Sequence, residues 1–187
     1  FVNEQTAEPI AKALLEEKMS AVRAVLPPFD NEPDKDMITI GKEDGTTVEI
    51  YRGRKDGAIT GAAFVVTAPD GYSGDIEFMI GVDGEGVMQG LMVLKHLETP
   101  GLGAKIETDD FRGQYKGKSL TDPEIWEVTK DGGPFVPITG ATISSRAVTR
   151  ASAKGLEFFA EHKADIFEAE KAEEAGEMKE TEEEVQQ

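Results

Sequence analysis

The fold of this chain is decided by residues 58–94, which read AITGAAFVVTAPDGYSGDIEFMIGVDGEGVMQGLMVL. Apolar runs of strand length alternate there with turns that contain Asp-Gly, at 70–71 and 83–84. Similar runs precede this stretch, and strands are predicted at 37–41, 46–52, 59–67, 76–82 and 87–94. Because short glycine-containing turns join neighbouring antiparallel strands, the pattern predicts an antiparallel β-meander.

Two amphipathic helices are predicted on either side of the meander. The first covers 6–26, with Thr6 as its cap, and Pro27-Pro28 ends it. The second follows a turn at 138 and runs to about 168. A short helix is expected near 104–109 and a further strand at 125–129. The order of helix, strands and helix predicts an α+β fold: a meander or half-barrel packed with an N-terminal and a long C-terminal helix.

The predicted domain covers residues 1–168, with mainly β-structure at 37–130 and a turn and helix at 138–168. Residues 161–187 hold 11 acidic side chains and three lysines and few large apolar residues. Such a composition cannot bury enough apolar surface to fold by itself. We therefore expect 169–187 to be an acidic, disordered tail.

Composition excludes several classes of function. The chain has 187 residues and a formal net charge of −17, which argues against a nucleic-acid partner. It has no cysteine and two histidines, so disulfides, thiolate metal sites and multi-histidine metal sites are excluded, and no metal site is predicted. No stretch approaches the ~20 apolar residues that a membrane-spanning helix needs.

One stretch whose residues could bind a ligand is 138–146, which reads ITGATISSR and leads into the second helix. Small residues let a ligand approach the backbone, and the unpaired amides and dipole of a helix N-terminus favour an anion. Physically this is a candidate phosphate site. The alternative is an ordinary helix start capped by Thr142 or Ser144.

A second such stretch is 96–105, HLETPGLGAK, which directly follows an apolar strand. A loop rich in proline and glycine at a strand end exposes backbone N–H groups and is a common place for a binding site. The alternative is a tight turn in which Gly101 and Gly103 serve only the backbone conformation.

Taken together, the two stretches resemble the FMN-binding domain of the G subunit of Rnf electron-transport complexes. The C subunit of the sodium-pumping NADH:quinone oxidoreductase is a related protein. The resemblance rests on HLETPGLG at 96–103 and TGATISSRAV at 139–148, in this order and followed by a long helix. It extends from the first helix to about Phe167.

The resemblance implies that FMN is attached covalently, through its phosphate, to the hydroxyl of Thr142. A separate flavin transferase would attach it, with FAD as donor and a divalent metal. Thr139, Gly140 and Ala141 would belong to the recognition motif of the transferase, and Ser144 would lie beside the phosphate.

The same resemblance places the loop 96–105 along the flavin. The residues implied to line the cofactor are Glu98, Thr99, Gly101 and Leu102, with Leu102 packed on the isoalloxazine ring. Lys105 would stabilise the reduced flavin by Coulomb attraction. One departure is Val136, which stands where motifs of the family often carry an acidic residue.

The function implied is electron transfer within a membrane-bound, ion-translocating ferredoxin:NAD⁺ oxidoreductase of the Rnf type, with the other subunits as partners. No catalytic acid–base residue is needed. The domain is expected on the extracytoplasmic side of the cytoplasmic membrane, anchored by an N-terminal helix upstream of this sequence. Two alternatives stay open: a stand-alone extracytoplasmic flavinylated carrier or reductase module, and a non-redox binding or scaffold protein of the same fold.

Three other side chains are each open to two interpretations. His96 is either a polar residue at a strand end or a group that tunes flavin protonation. Trp126 is predicted to belong to the core rather than to stack on a flavin. Arg146, about one turn into the second helix, either reaches a phosphate or is solvated.

Overall fold

The structure is a computed structural model that describes the backbone of residues 4–184 and the side chains of residues 12–167. Its helices are α1 (Glu4–Val25), α2 (Asp109–Arg112) and α3 (Thr142–Glu184). Its strands are β1 (Met37–Gly41), β2 (Thr47–Lys55), β3 (Ala58–Gly71), β4 (Gly74–Asp83) and β5 (Met88–Lys95). Among the described residues, none of the helices combines the length with the apolar composition that a membrane-spanning helix requires.

The five strands form one open antiparallel sheet in the order β1-β2-β3-β4-β5, which confirms the predicted meander. β3 and β4 are longer than predicted and end in a tight hairpin at Gly71 and Gly74, which are paired in register. With α1 and α3 the sheet makes the α+β fold that the sequence predicts.

The two faces of the sheet bury separate apolar clusters because side chains alternate along each strand. Ile50, Phe64 and Ile80 pair across β2, β3 and β4 and belong to the larger cluster, together with side chains of α3. Ala63 and Met79 belong to the smaller cluster, with side chains of α1. The sheet therefore separates the two long helices.

Glycines set how closely α1 approaches the sheet. Gly81 and Gly90 are paired between β4 and β5, beneath the end of α1. A Cβ built on Gly81 would lie 1.9 Å from the carbonyl oxygen of Val25, and a Cβ on Gly90 would lie 3.2 Å from the Val25 Cα. The backbone of α1 thus rests directly on the backbone of the sheet.

Helix α3 lies on the opposite face and begins at Thr142, as predicted. Gly155 permits its close approach, since a Cβ there would lie 2.7 Å from a side-chain atom of β4. The helix extends to Glu184, past residue 168, and Phe167 is the last described side chain that packs against the core. The domain end at 168 and the acidic tail 169–187 stay predictions.

The segment between β5 and α3 holds short helical turns. The predicted helix at 104–109 is a 3₁₀-helix, Gly103–Glu107, followed by α2. The predicted strand at 125–129 is wrong: Val128 forms a single bridge with Phe135, outside any strand, and a 3₁₀-helix, Thr129–Asp131, follows.

The aromatic core explains this error. Trp126 and Val128 are buried, so burial alternates along the segment as it would in a strand. The cause is packing, because the Trp126 ring lies 5.0 Å from that of Phe135 and 6.4 Å from that of Tyr115. The assignment of Trp126 to the core is confirmed.

Candidate functional site

The two sequence motifs meet at the N-terminus of α3, where they enclose a cavity of about 550 Å³. The cavity is lined by Tyr72, Glu98, Thr99, Leu102, Gly103, Lys130, Gly140, Ala141, Thr142, Ile143 and Ser144. A larger cavity, about 840 Å³, lies between α1 and the sheet and is lined by neither motif. The chemistry expected from the motifs therefore belongs to the smaller cavity.

A buried carboxylate ties the walls of this cavity together. Glu98 is only 4% exposed, and its Oε2 accepts a hydrogen bond of 2.6 Å from the Ser144 hydroxyl. Its Oε1 accepts one of 3.0 Å from the backbone N–H of Ser73, in the β3–β4 hairpin. Glu98 thus joins the hairpin, the loop after β5 and the start of α3, a role that the sequence did not reveal.

Two glycines leave the room that this carboxylate occupies. A Cβ on Gly103 would lie 2.5 Å from Glu98 Oε2, and a Cβ on Gly71 would lie 2.9 Å from Glu98 Oε1 and 2.2 Å from the carbonyl oxygen of Gly74. Neither position accepts a side chain without displacing the carboxylate. Gly103 therefore serves the packing of the site as well as the turn.

His96 supports the same loop from outside the cavity. Its Nδ1 accepts a hydrogen bond of 3.0 Å from the backbone N–H of Glu98, so the ring proton of the neutral form lies on Nε2. That nitrogen lies 3.0 Å from the carboxylate of Glu107 and donates to it. His96 is a polar residue at the strand end that orients the loop.

The turn before α3 is fixed by a buried hydroxyl. Ser145 accepts a hydrogen bond from the N–H of Ile138 (3.0 Å) and donates one to the carbonyl of Ala141 (2.9 Å). Gly140, with φ +80°, lies against Leu102, whose Cδ2 would be 3.2 Å from a Cβ at that position. The turn and the opposite loop are therefore in contact.

The hydroxyl of Thr142 opens into the cavity at the first residue of α3. Its Oγ1 accepts a hydrogen bond of 3.0 Å from the Nζ of Lys130, in the 3₁₀-helix Thr129–Asp131. The sequence does not mark this lysine as a site residue, because it lies outside both motifs.

Ion pairs hold the segment that carries Lys130 against α3. Arg146 donates two hydrogen bonds to Asp131 (2.5 and 3.0 Å), and the Nε–H of Arg150 is shared between the two carboxylate oxygens of Glu127 (2.8 and 3.0 Å). The hydrogen bond from Arg146 holds the pKa of Asp131 below its ordinary value. Arg146 is therefore engaged by a carboxylate and not directed at the Thr142 hydroxyl.

The equal spacing of these partners is a signal of their pairing that is present in the sequence. Glu127 and Asp131 are four residues apart, as are Arg146 and Arg150. On α3 that spacing places both arginines on one helical face.

Two residues predicted for the site line a neighbouring cavity of about 650 Å³ instead. Lys105 and Thr139 lie there, together with Val136 and Gln114. The exposed Val136, which replaces the expected acidic residue, has its N–H and carbonyl group bonded to the side chain of Gln114. Gly101, with φ +74°, shapes the turn of the loop.

The geometry favours a ligand with an anionic end and an apolar body. The free amides of the α3 N-terminus and the Lys130 ammonium group attract negative charge at one end. Leu102 and Ile143 are each 46% exposed and Tyr72 is 68% exposed, so they give the cavity an apolar rim. Glu98 is part of the cavity wall, and each of its carboxylate oxygens already accepts one hydrogen bond from the protein.

Comparison with known proteins agrees with this chemistry. A family model described as an FMN-binding domain matches residues 71–157, from the β3–β4 hairpin into α3. The G subunit of the ion-translocating oxidoreductase complex from Cereibacter sphaeroides is 39% identical over 173 residues, which cover 89% of this chain and 78% of the relative. Its counterpart from Aliivibrio fischeri is 37% identical over 172 residues, covering 87% and 82%.

Two solved structures share the fold. The C subunit of the Na⁺-translocating NADH-quinone reductase from Parabacteroides distasonis superposes with a TM-score of 0.54 at 22% identity, covering 71% of this chain and 68% of that chain. NqrC from Shewanella oneidensis gives a TM-score of 0.51 at 20% identity, covering 76% and 75%. At these identities the likeness concerns the fold alone.

Proposed function

The chain belongs to the family of G subunits of ion-translocating oxidoreductase complexes, and we propose that it carries FMN in electron transfer, bound as a phosphoester of the Thr142 hydroxyl. Its partners are the other subunits of such a complex. We further propose that the domain lies on the extracytoplasmic side of the membrane, held by an anchor helix upstream of this sequence.

The residues around the cavity fit FMN. Its volume of about 550 Å³ falls within the roughly 300–1,000 Å³ of small-molecule sites. Gly140 and Ala141 let a phosphate approach the amides that begin α3, while Leu102 and Ile143 offer an apolar surface to the ring. Thr99, on the loop opposite α3, supplies a polar group at the cavity wall.

The observation that carries the proposal is the position of the Thr142 hydroxyl at the start of a long helix, within this cavity and beside a cation. In the attachment reaction the Thr142 Oγ1–phosphorus bond forms and the P–O–P bond of FAD breaks. AMP leaves, and the hydroxyl proton passes to a base of the flavin transferase, which also holds the divalent metal.

Once attached, FMN supplies redox chemistry that accepts electrons in pairs and releases them singly. The chain's own residues position the cofactor. Glu98 fixes the loop after β5, and Ser145 fixes the turn before α3. The N-terminus of α3 stabilises the phosphate charge. No side chain needs to act as an acid or base on a substrate.

The test is covalent loading of two variants. The domain is co-expressed with a flavin transferase, denatured, and measured by intact mass and peptide mapping. Wild type is expected to gain one FMN, less water, on the peptide that contains Thr142, whereas Thr142→Val, which replaces the hydroxyl with a methyl group, gains none.

Ser144→Ala is the matched control. Its hydroxyl lines the same cavity but is committed to Glu98, so this variant is expected to load. Covalent FMN on Thr142→Val, or loss of loading only in Ser144→Ala, would contradict the assignment. Circular dichroism of each variant confirms that it is folded.

A further inference from the structure

We propose that the Lys130 ammonium group prepares the Thr142 hydroxyl for flavin attachment and then balances the charge of the phosphoester. This inference rests on the proposed attachment at Thr142. It assigns a role to a residue that lies outside both motifs.

The hydrogen bond from Lys130 to Thr142 leaves free the two parts of the hydroxyl that the reaction uses, its proton and one lone pair. An ammonium group only donates, so at 3.0 Å from Lys130 Nζ the Thr142 oxygen is the acceptor. A hydroxyl oxygen has two lone pairs and one proton. With one lone pair held by Lys130, the other is left to attack phosphorus and the proton is left for a base of the transferase.

Lys130 is the cation available at this place. Of the described residues that line the cavity, it is the only one with a positive side chain. Arg146 and Arg150 lie on one face of α3 and are held by carboxylates: Arg146 donates two hydrogen bonds to Asp131, and the Nε–H of Arg150 is shared between the two oxygens of Glu127. Both guanidinium charges are thus already balanced, whereas Lys130 donates to a neutral hydroxyl.

The backbone presents Lys130 from a fixed position. The neighbouring Asp131 is bound to α3 through Arg146, and the Thr129 N–H donates to the carbonyl of Phe135 (2.8 Å). The next turn is tightly packed as well, since a Cβ on Gly133 would lie 1.8 Å from a backbone oxygen. The ammonium group therefore needs no rearrangement of the chain to meet the hydroxyl.

In the attachment step the oxygen that accepts from Lys130 becomes the bridging oxygen of the ester. The Oγ1–phosphorus bond forms while the P–O–P bond of FAD breaks and AMP leaves with the electron pair. The product carries one negative charge beside a cation that was there before the reaction. The charge that develops in the transition state is stabilised in the same way.

The experiment measures FMN incorporation by purified transferase and FAD into the apo-domain, as a function of domain concentration. Lys130→Met is compared with wild type, with Lys130→Arg, which keeps the charge, and with Lys154→Met, an exposed lysine further along α3. We expect kcat for Lys130→Met to fall about 10- to 150-fold, the value of one charge-assisted hydrogen bond. KM for the domain should change little, Lys130→Arg should recover part of the rate, and Lys154→Met should match wild type.

Each other outcome decides against the inference. If Lys130→Met loads at the rate of wild type, or if only KM rises, the lysine does not act on the hydroxyl. Thermal unfolding of the apo-variants shows whether a loss of rate reflects a loss of folding, and Lys130→Gln gives a second neutral variant. If wild type itself takes no FMN on Thr142, the proposed function fails first, so the two failures are distinct.

Discussion

Replacing Glu98 with alanine should loosen three parts of the chain at once. The variant removes a carboxylate that accepts hydrogen bonds from Ser144 and from the Ser73 N–H. Hydrogen bonds to a charged group contribute about 1.5–3 kcal/mol each. Relief of the desolvation of a nearly buried carboxylate offsets part of that sum.

The net expected loss of stability is about 2–4 kcal/mol, which for a chain of this length lowers Tm by roughly 5–15 °C. Glu98→Gln should cost only about 1 kcal/mol, because its amide oxygen accepts from Ser73 while its amide nitrogen donates to the Ser144 oxygen. Calorimetry of the apo-domain measures both variants. The exposed Glu124→Ala serves as control and should stay within about 0.5 kcal/mol of wild type.

Local measurements sharpen the test. Amide hydrogen exchange in the β3–β4 hairpin should accelerate in Glu98→Ala, because the Ser73 N–H loses its acceptor. A double-mutant cycle with Ser144→Ala should give a coupling of about 0.5–3 kcal/mol. If Glu98→Ala melts within about 2 °C of wild type and hairpin exchange is unchanged, the reasoning that Glu98 joins the segments is refuted.

Two further predictions concern the core. Gly81→Ala should destabilise the domain by about 3 kcal/mol or more in denaturant unfolding, because the new Cβ would overlap the backbone of Val25. Gly41→Ala, with nothing within 4 Å, should be neutral or slightly stabilising, and equal effects at the two glycines would contradict this account. Burial raises the pKa of Tyr115 above its ordinary value of 10.0, so the folded protein favours the neutral phenol and loses stability as pH rises beyond about 10. In an alkaline absorbance titration, Tyr115 should ionise only as the protein unfolds, and a normal titration of all three tyrosines in the folded protein would count against it.

The sheet could be predicted because its information is local. Each strand from β1 to β5 carries its own apolar run, and the predicted turn at 83–84 separates β4 from β5. The turn predicted at Asp70-Gly71 is displaced by two residues, because both belong to β3 and the chain turns at 72–73. The strand predicted at 125–129 is wrong because the structure of that segment depends on contacts with residues distant in sequence. Buried and exposed side chains alternate there because Trp126 packs against the rings of Tyr115 and Phe135. A five-residue pattern does not show whether its buried side chains pack against aromatic rings or belong to a strand in a sheet.

The site was predictable in part for a related reason. Both motifs are continuous in sequence, so Thr99, Leu102 and Thr142 could be placed together from the resemblance. Lys130 reaches Thr142 only because ion pairs lay its segment along α3, which depends on tertiary packing. Lys105 belongs to the loop motif, but the 3₁₀-helix that begins at Gly103 places it on the neighbouring cavity.

The contacts that build the site join residues distant in sequence, so under the proposed attachment at Thr142 the domain has to fold before it receives the flavin. Glu98 and Ser144 are 46 residues apart, and Lys130 and Thr142 are 12 apart. In an unfolded chain the transferase would meet the sequence TGAT at 139–142 alone. Lys130, the N-terminal amides of α3 and the loop 96–105 would not yet lie beside Thr142. The yield of loaded protein would then report the fraction of chains that had folded when the transferase met them. Flavin attachment would therefore select folded domains over unfolded ones.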